Sequence, residues 1–356
     1  MNHASFYPNM GEKLVQIGEL PHQAPEALFG DVQFRPTPYT VAALIGDGIT
    51  ENDILSAGHM AGYNTPTMDE TLKDLDVALP YIQQLSDKIA NDHGDEVIWL
   101  AGRDFETVAD DFTIRYPELE AYLLPASQDL FYDETMLSDI APRFLGQFGL
   151  TAARIADPGR KFAIFDSGFR GSIGLELDKL VGRFHDTSLR RTDRLTNKLA
   201  AVNSAEAIAG EQIMDFPGGA ANFSKDQLPR ANRIADALQT EDYSDTQVLA
   251  VLLQTLPRFH NAYDRLSEID GRVVALPCIY EVAQGIPYEH TDDNVDRPSP
   301  DQDYNPNDSI VNPVAAATVM YRVVKSALEL KPDALKGLST RSQEFPIIRK
   351  PLWPHK

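Results

Sequence analysis

Apolar positions along this chain recur with two different periods, and the alternation between them points to its architecture. Leu72, Leu75, Leu79, Ile82, Leu85 and Ile89 return every three or four positions behind a Thr67-Met68-Asp69-Glu70 capping box. That spacing predicts one long amphipathic helix, bent at Pro80 and ended by residues 91–94. Residues 96–101 (EVIWLA) then form a short apolar run of the kind expected of a strand buried on both faces. Helical spacing resumes over residues 107–116, and residues 120–124 read as a second strand ending at Pro125-Ala126-Ser127. Met136, Leu137, Ile140, Phe144, Leu145 and Phe148 carry a helical pattern through residues 133–149. A further apolar run, Phe162 to Phe165, precedes Leu175, Leu177, Leu180 and Val181 on the apolar side of another helix. This strand and helix alternation across residues 96–184 predicts an α/β fold, a mostly parallel sheet flanked by helices.

The flanks read differently. Residues 1–66, punctuated by HQAP, RPTPYT and GDGIT, are expected to be an irregular arm or cap, and residues 67–186 the α/β phosphate-binding core. Residues 187–339 form a mainly helical part, giving a helical C-terminal half, with helices expected at 200–214, 227–239, 246–266 and 314–330 and a further strand at 273–276. The acidic, proline-rich stretch 292–308 reads as a long exposed loop, and residues 340–356, with three prolines, as an extended tail.

Charge narrows the partners. Against 32 basic residues stand 53 acidic ones, a formal charge of −21, which works against nucleic acid and anionic membrane over most of the surface. The N-terminus lacks a basic segment followed by an apolar core, and no run of about 18 uncharged apolar residues occurs, so a cytoplasmic location is expected. The single cysteine, Cys278, excludes an intrachain disulfide and lies in an apolar setting without a neighbouring cation to stabilise a thiolate. Basic residues gather at Arg183, Arg190, Arg191, Arg194 and Lys198, either as a solvated helix face or as a positive wall receiving a phosphorylated ligand.

The chemistry concentrates in KFAIFDSGFRGSIG, residues 161–174. Asp166 falls at the carboxyl end of a strand and a glycine-punctuated loop leads into a helix, the order that places free N–H groups at a crevice where negative charge is favoured. Gly168, Gly171 and Gly174 let the main chain approach a phosphate, and Ser167, Arg170 and Ser172 supply polar contacts. The loop after the first strand, Gly102, Arg103, Asp104, Phe105 and Glu106, would face it if the two strands are parallel neighbours. Arginine beside two carboxylates, Asp104 and Asp166, suits a phosphate with a bound divalent cation, Mg²⁺. A buried structural ion pair between Arg103 and Asp166 is the plain alternative.

In order, VIWLAGRDFETVADDF, EAYLLPAS and FAIFDSGFRGSIGLELDKLV resemble the core of type I phosphoribosyltransferases over about ninety residues. The departures are Phe165 where that family has one of two adjacent acids and Arg170 where it has threonine; Gly171 falls at the loop glycine. The resemblance implies that Asp166 contacts ribose hydroxyls, residues 167–172 cradle a phosphate, and residues 102–104 line a pyrophosphate site with Mg²⁺. It implies a phosphorylated small molecule as partner and Asp166, Arg103 and Asp104 as the residues nearest the chemistry, with Gly102, Glu106, Ser167, Gly168, Arg170, Gly171 and Ser172 binding the ligand. A non-catalytic nucleotide sensor or assembly protein using the same crevice is the alternative, and homo-oligomerisation is compatible with both. IFDSG also resembles the opening strand of glutamate racemases, without their cysteine pair, and an acidic strand end resembles haloacid dehalogenase phosphatases, without an aspartate at Gly168.

Weaker constellations are His260 with Asp264, four residues apart as on one helix face, and Asp301, Asp303, Asn305 and Asn307, spaced as in a calcium loop but with Pro306 at the glycine position. DFPGGAAN, residues 215–222, reads as a turn or a second phosphate loop, and His290 as a surface histidine beside acids.

Overall fold

The computed structural model describes residues 38–46, 48–60, 65–102, 104–167, 171–199, 211–212, 252–253, 256, 263–269, 272–277 and 313–334. In chain order the described elements are α1 (Pro38–Gly46), α2 (Glu51–Met60), α3 (Thr65–His93), β1 (Val97–Ala101), α4 (Glu106–Arg115) and β2 (Ala121–Leu124). There follow α5 (Gln128–Tyr132), a 3₁₀ turn (Glu134–Leu137), α6 (Ile140–Gln147), α7 (Ala152–Ala156), β3 (Phe162–Asp166), α8 (Ser172–His185) and β4 (Leu195–Leu199). The two-residue β5 (Glu211–Gln212), β6 (Tyr263–Ile269), β7 (Arg272–Pro277) and α9 (Pro313–Leu330) complete them.

The sheet runs β2-β1-β3-β4-β5 and every pairing in it is parallel. This is the α/β architecture expected from the strand and helix alternation. Because side chains alternate across a strand, each apolar run supplies two cores at once. Ile98, Leu100, Ala163 and Phe165 face α3, α4 and α9, whereas Val97, Trp99, Phe162 and Ile164 face α6, α8 and the β6–β7 hairpin. On the second face Trp99 stacks on Phe162, ring centroids 5.1 Å apart, and its indole N–H donates to Phe148 O at 2.7 Å.

The α3 helix buries Leu72, Leu75, Ile82, Leu85 and Ile89 as its spacing requires and carries Pro80 on an exposed position. Several expectations are corrected. The arm or cap assigned to residues 1–66 contains α1 and α2, which pack into the first core through Val41, Ala42 and Ile54. Pro38 fits the first position of α1, where no N–H is needed. A reciprocal cap starts α2: Thr50 N donates to Asp53 Oδ2 at 2.7 Å and Asp53 N to Thr50 Oγ1 at 3.3 Å.

The single helix expected over residues 133–149 is broken instead. Asp133 accepts from Thr135 N at 2.8 Å and caps the 3₁₀ turn, leaving Leu137 exposed, and α6 starts afresh at Ile140. Beyond residue 187, β4 occupies a stretch read as part of a basic cluster, and β5 falls inside the helix expected at 200–214. Within the helix expected over 246–266, β6 begins at Tyr263, so Asp264 lies on a strand. The strand expected at 273–276 is present as β7, and α9 matches the helix expected at 314–330. The β6–β7 hairpin is fastened to the sheet layer by Leu266 N donating to Thr135 Oγ1 at 2.8 Å and by the Arg143–Glu268 pair. His260, Cys278, His290, the stretches 215–222, 292–308 and 340–356, and the helix expected at 227–239 lie outside the described residues. Among the described residues no helix is long and apolar enough to cross a membrane.

Candidate functional site

Strand order places the site. The crossover from β1 to β2 carries α4 on one face of the sheet, and the crossover from β2 back to β3 carries α6 and α7 on the other. The chain therefore leaves the carboxyl ends of β1 and β3 in opposite directions, and the place between them is the switch point at which doubly wound sheets hold ligands. In the register Leu100 lies opposite Phe165, so the loops following Ala101 and Asp166 emerge side by side.

On the β1 side Gly102 has φ +59°, and its N–H donates to Leu124 O at 2.8 Å. A β-carbon there would fall 2.4 Å from Ala126 O, so both conformation and space demand glycine. Phe105, fully buried, anchors the turn, and Glu106, expected in the loop, is the first residue of α4 and also buried. On the β3 side Asp166 and Ser167 are 8% and 1% exposed. The Ser167 hydroxyl donates to Asp104 Oδ2, which ties the two loops directly to one another. The chain returns through Gly171, in the left-handed region at φ +72°, and starts α8 with no side-chain cap. Its first turn, at Ser172, thus offers backbone N–H groups toward the same edge. Arg103, Gly168 and Arg170 lie outside the described residues.

Two residues of the glycine loop hold other roles than expected. Gly174 serves helix packing: a β-carbon on it would lie 2.6 Å from the Asn197 carboxamide. The basic cluster is no wall of this crevice. Arg183 ends α8 and Arg190, Arg191 and Arg194 precede β4, all toward the amino ends of the strands; Lys198 alone sits near the carboxyl end. Sequence reasoning missed Asn197, which donates to Gly171 O at 3.0 Å and fixes the start of α8, because a polar residue in LTNKL carries no motif. It also missed that α4 is buried along its whole length, including Thr107, Asp110, Asp111 and Arg115. Asp111 and Arg115 work as structure: Arg115 donates to Asp111 at 3.3 Å, to Gln83 O at 3.0 Å and to Asp87. Burial outweighs that guanidinium and pushes the Asp111 carboxyl above the usual carboxylate range.

Among the described residues no three of His, Cys, Asp or Glu gather as a ligand set for a metal ion. Two carboxylates, Asp104 and Asp166, remain at the joined loop ends. Mg²⁺ takes one or two carboxylates and completes its octahedron with water and substrate phosphate, so these two are the residues that could hold it. No protein-family model, no curated protein and no solved structure matches the chain.

Proposed function

We propose that this chain binds a phosphorylated, ribose-containing small molecule at the carboxyl ends of β1 and β3, together with Mg²⁺, and transfers the phosphoribosyl group. The observation that carries the reading is the hydrogen bond from Ser167 to Asp104, which joins the two loops at the switch point of the sheet. The carboxylates of Asp104 and Asp166 would repel a bare phosphate, and a divalent cation held by them would offset that charge. In this scheme Asp104 and Asp166 hold the ion, residues at the start of α8 take phosphate oxygens through N–H groups, and Asp166 orients the sugar. Transfer breaks the anomeric carbon–oxygen bond to pyrophosphate and forms a bond from that carbon to an acceptor, and a divalent cation held by Asp104 and Asp166 would supply charge to offset that of the departing group.

A nucleotide sensor using the same crevice is the second reading, and one observation favours it. Phe165 stands where the resemblance places a second acid, and it is fully buried in the apolar core.

Isothermal titration of the full chain with phosphoribosyl pyrophosphate and with nucleotides, with and without Mg²⁺, tests both. Metal-dependent binding with pyrophosphate release supports transfer, and binding without turnover supports the sensor. Absence of binding to every phosphorylated compound overturns both.

A further inference from the structure

At the other edge of the sheet, where the strands begin, lies a cleft of about 430 Å³. One wall is apolar and made by Ala152, Ile155, Ala156 and Pro158 of α7 and the turn after it. The opposing wall is polar, with His185 from the last turn of α8 and Thr187, Thr192 and Arg194 from the loop entering β4. Five strand residues, about 16 Å of chain, separate this edge from the Asp166 loop.

Arg194 decides what the cleft accepts. It is only 6% exposed, yet among the described residues no carboxylate pairs with it. Its partners are neutral: Nε donates to Thr192 Oγ1 at 3.2 Å, one terminal nitrogen to Ile155 O at 2.7 Å and the other to Asp157 O. A guanidinium carries five N–H groups, so each terminal nitrogen keeps one more to give. A buried guanidinium held only by neutral oxygens has no counter-charge beside it, and the complement of that cation is an anion.

The loop is built before any ligand arrives. The Asp178 carboxylate accepts from the Ser188 hydroxyl at 2.7 Å, Leu189 N at 2.7 Å and Arg190 N at 3.2 Å. Thr192 Oγ1 donates back to Ser188 O at 2.9 Å and Leu189 O at 3.1 Å while accepting from Arg194. These bonds hold the cationic side of the cleft in one shape and lower the ordering cost of binding. Arg190 and Arg191 are exposed on the same loop, beside the equally exposed Asp186 and Asp193, so the buried Arg194 is the cation that the cleft itself presents.

We propose that this cleft is a second binding site, for a small organic anion whose carboxylate or phosphate meets Arg194 and whose apolar body lies on Ala152, Ile155, Ala156 and Pro158. The volume is in the range of small-molecule sites. Of the basic cluster Arg194 alone thus receives a ligand, at the amino edge of the sheet and independently of the loops at the carboxyl edge.

Isothermal titration of the full chain with benzoate, phenyl phosphate and neutral benzyl alcohol tests this. At least one anion should bind tenfold or more tightly than benzyl alcohol, and the preferred anion identifies the ligand as a carboxylate or a phosphate ester. Ala156→Phe, an exposed lining position whose side chain makes no hydrogen bond to Arg194, should weaken that binding at least tenfold, while Asp166→Asn at the other edge leaves it unchanged. The proposal fails if wild type binds neither anion, if benzyl alcohol binds equally well, if Ala156→Phe retains full affinity, or if Asp166→Asn abolishes binding.

Discussion

Gly174 of α8 and Asn197 of β4 are in such close contact that a β-carbon on the glycine would lie 2.6 Å from the carboxamide carbon of the asparagine. The same carboxamide donates to Gly171 O at 3.0 Å, so one side chain both sets the helix against the sheet and holds the residue that precedes its first turn. Gly174→Ala should push α8 off β4 and cost about 1–3 kcal/mol, the usual range for overpacking. Urea denaturation measures it, and an unchanged midpoint would show that the helix moves aside freely.

Asp166 sits at the joined ends of β1 and β3. Asp166→Asn keeps the size of the side chain and removes its charge, so affinity for a phosphorylated ribose compound with Mg²⁺ should fall by about 1–3 kcal/mol, the worth of a charged hydrogen bond. Large destabilisation with affinity intact would assign Asp166 to structure alone.

Burial, and then the hydrogen bond it donates to Asp87, push the Tyr116 phenol up to about 12. The fold therefore favours the protonated phenol, and its contribution to stability is complete below the ordinary tyrosine value of about 10. Between there and about pH 12 the unfolded chain ionises first and the contribution is lost. Denaturation midpoints across that window should fall more steeply for wild type than for Tyr116→Phe; parallel curves would contradict the shift.

Trp99 is 1% exposed, stacked on Phe162 and bonded to Phe148 O. Trp99→Phe would leave that buried carbonyl without its donor and shrink the core, a loss of about 1–3 kcal/mol by equilibrium denaturation. A variant as stable as wild type would mean that neighbouring groups take over the carbonyl.

The parts of this fold that were legible in the sequence are those where burial is two-sided. VIWLA and FAIF are uninterrupted apolar runs leading into the loops that carry the candidate site, whereas the chain order leaves their adjacency open until the β1–β3 pairing is seen. By contrast β4, LTNKL, places three polar residues between two leucines, and only the neighbouring strand makes it a strand. The first two helices were hidden by Pro38 and by the glycines around residue 47, which begin and end α1 without interrupting it. The role of Gly174 was invisible because its partner, Asn197, is distant in the chain.

The last described helix, α9, packs against α1, α2, α3 and α4, and Arg322 grips Glu51 through two hydrogen bonds and Asp76 through a third. Its Ala315, Ala316, Val319, Val323 and Ala327 complete the apolar layer over Ile98, Leu100 and Phe165. A growing chain on the ribosome consequently exposes that layer until residues beyond 330 have left the exit tunnel, some two hundred positions after the first strand is made. Folding during synthesis can set the sheet early, but it cannot seal it, and messages truncated before residue 313 would yield sticky, chaperone-dependent products.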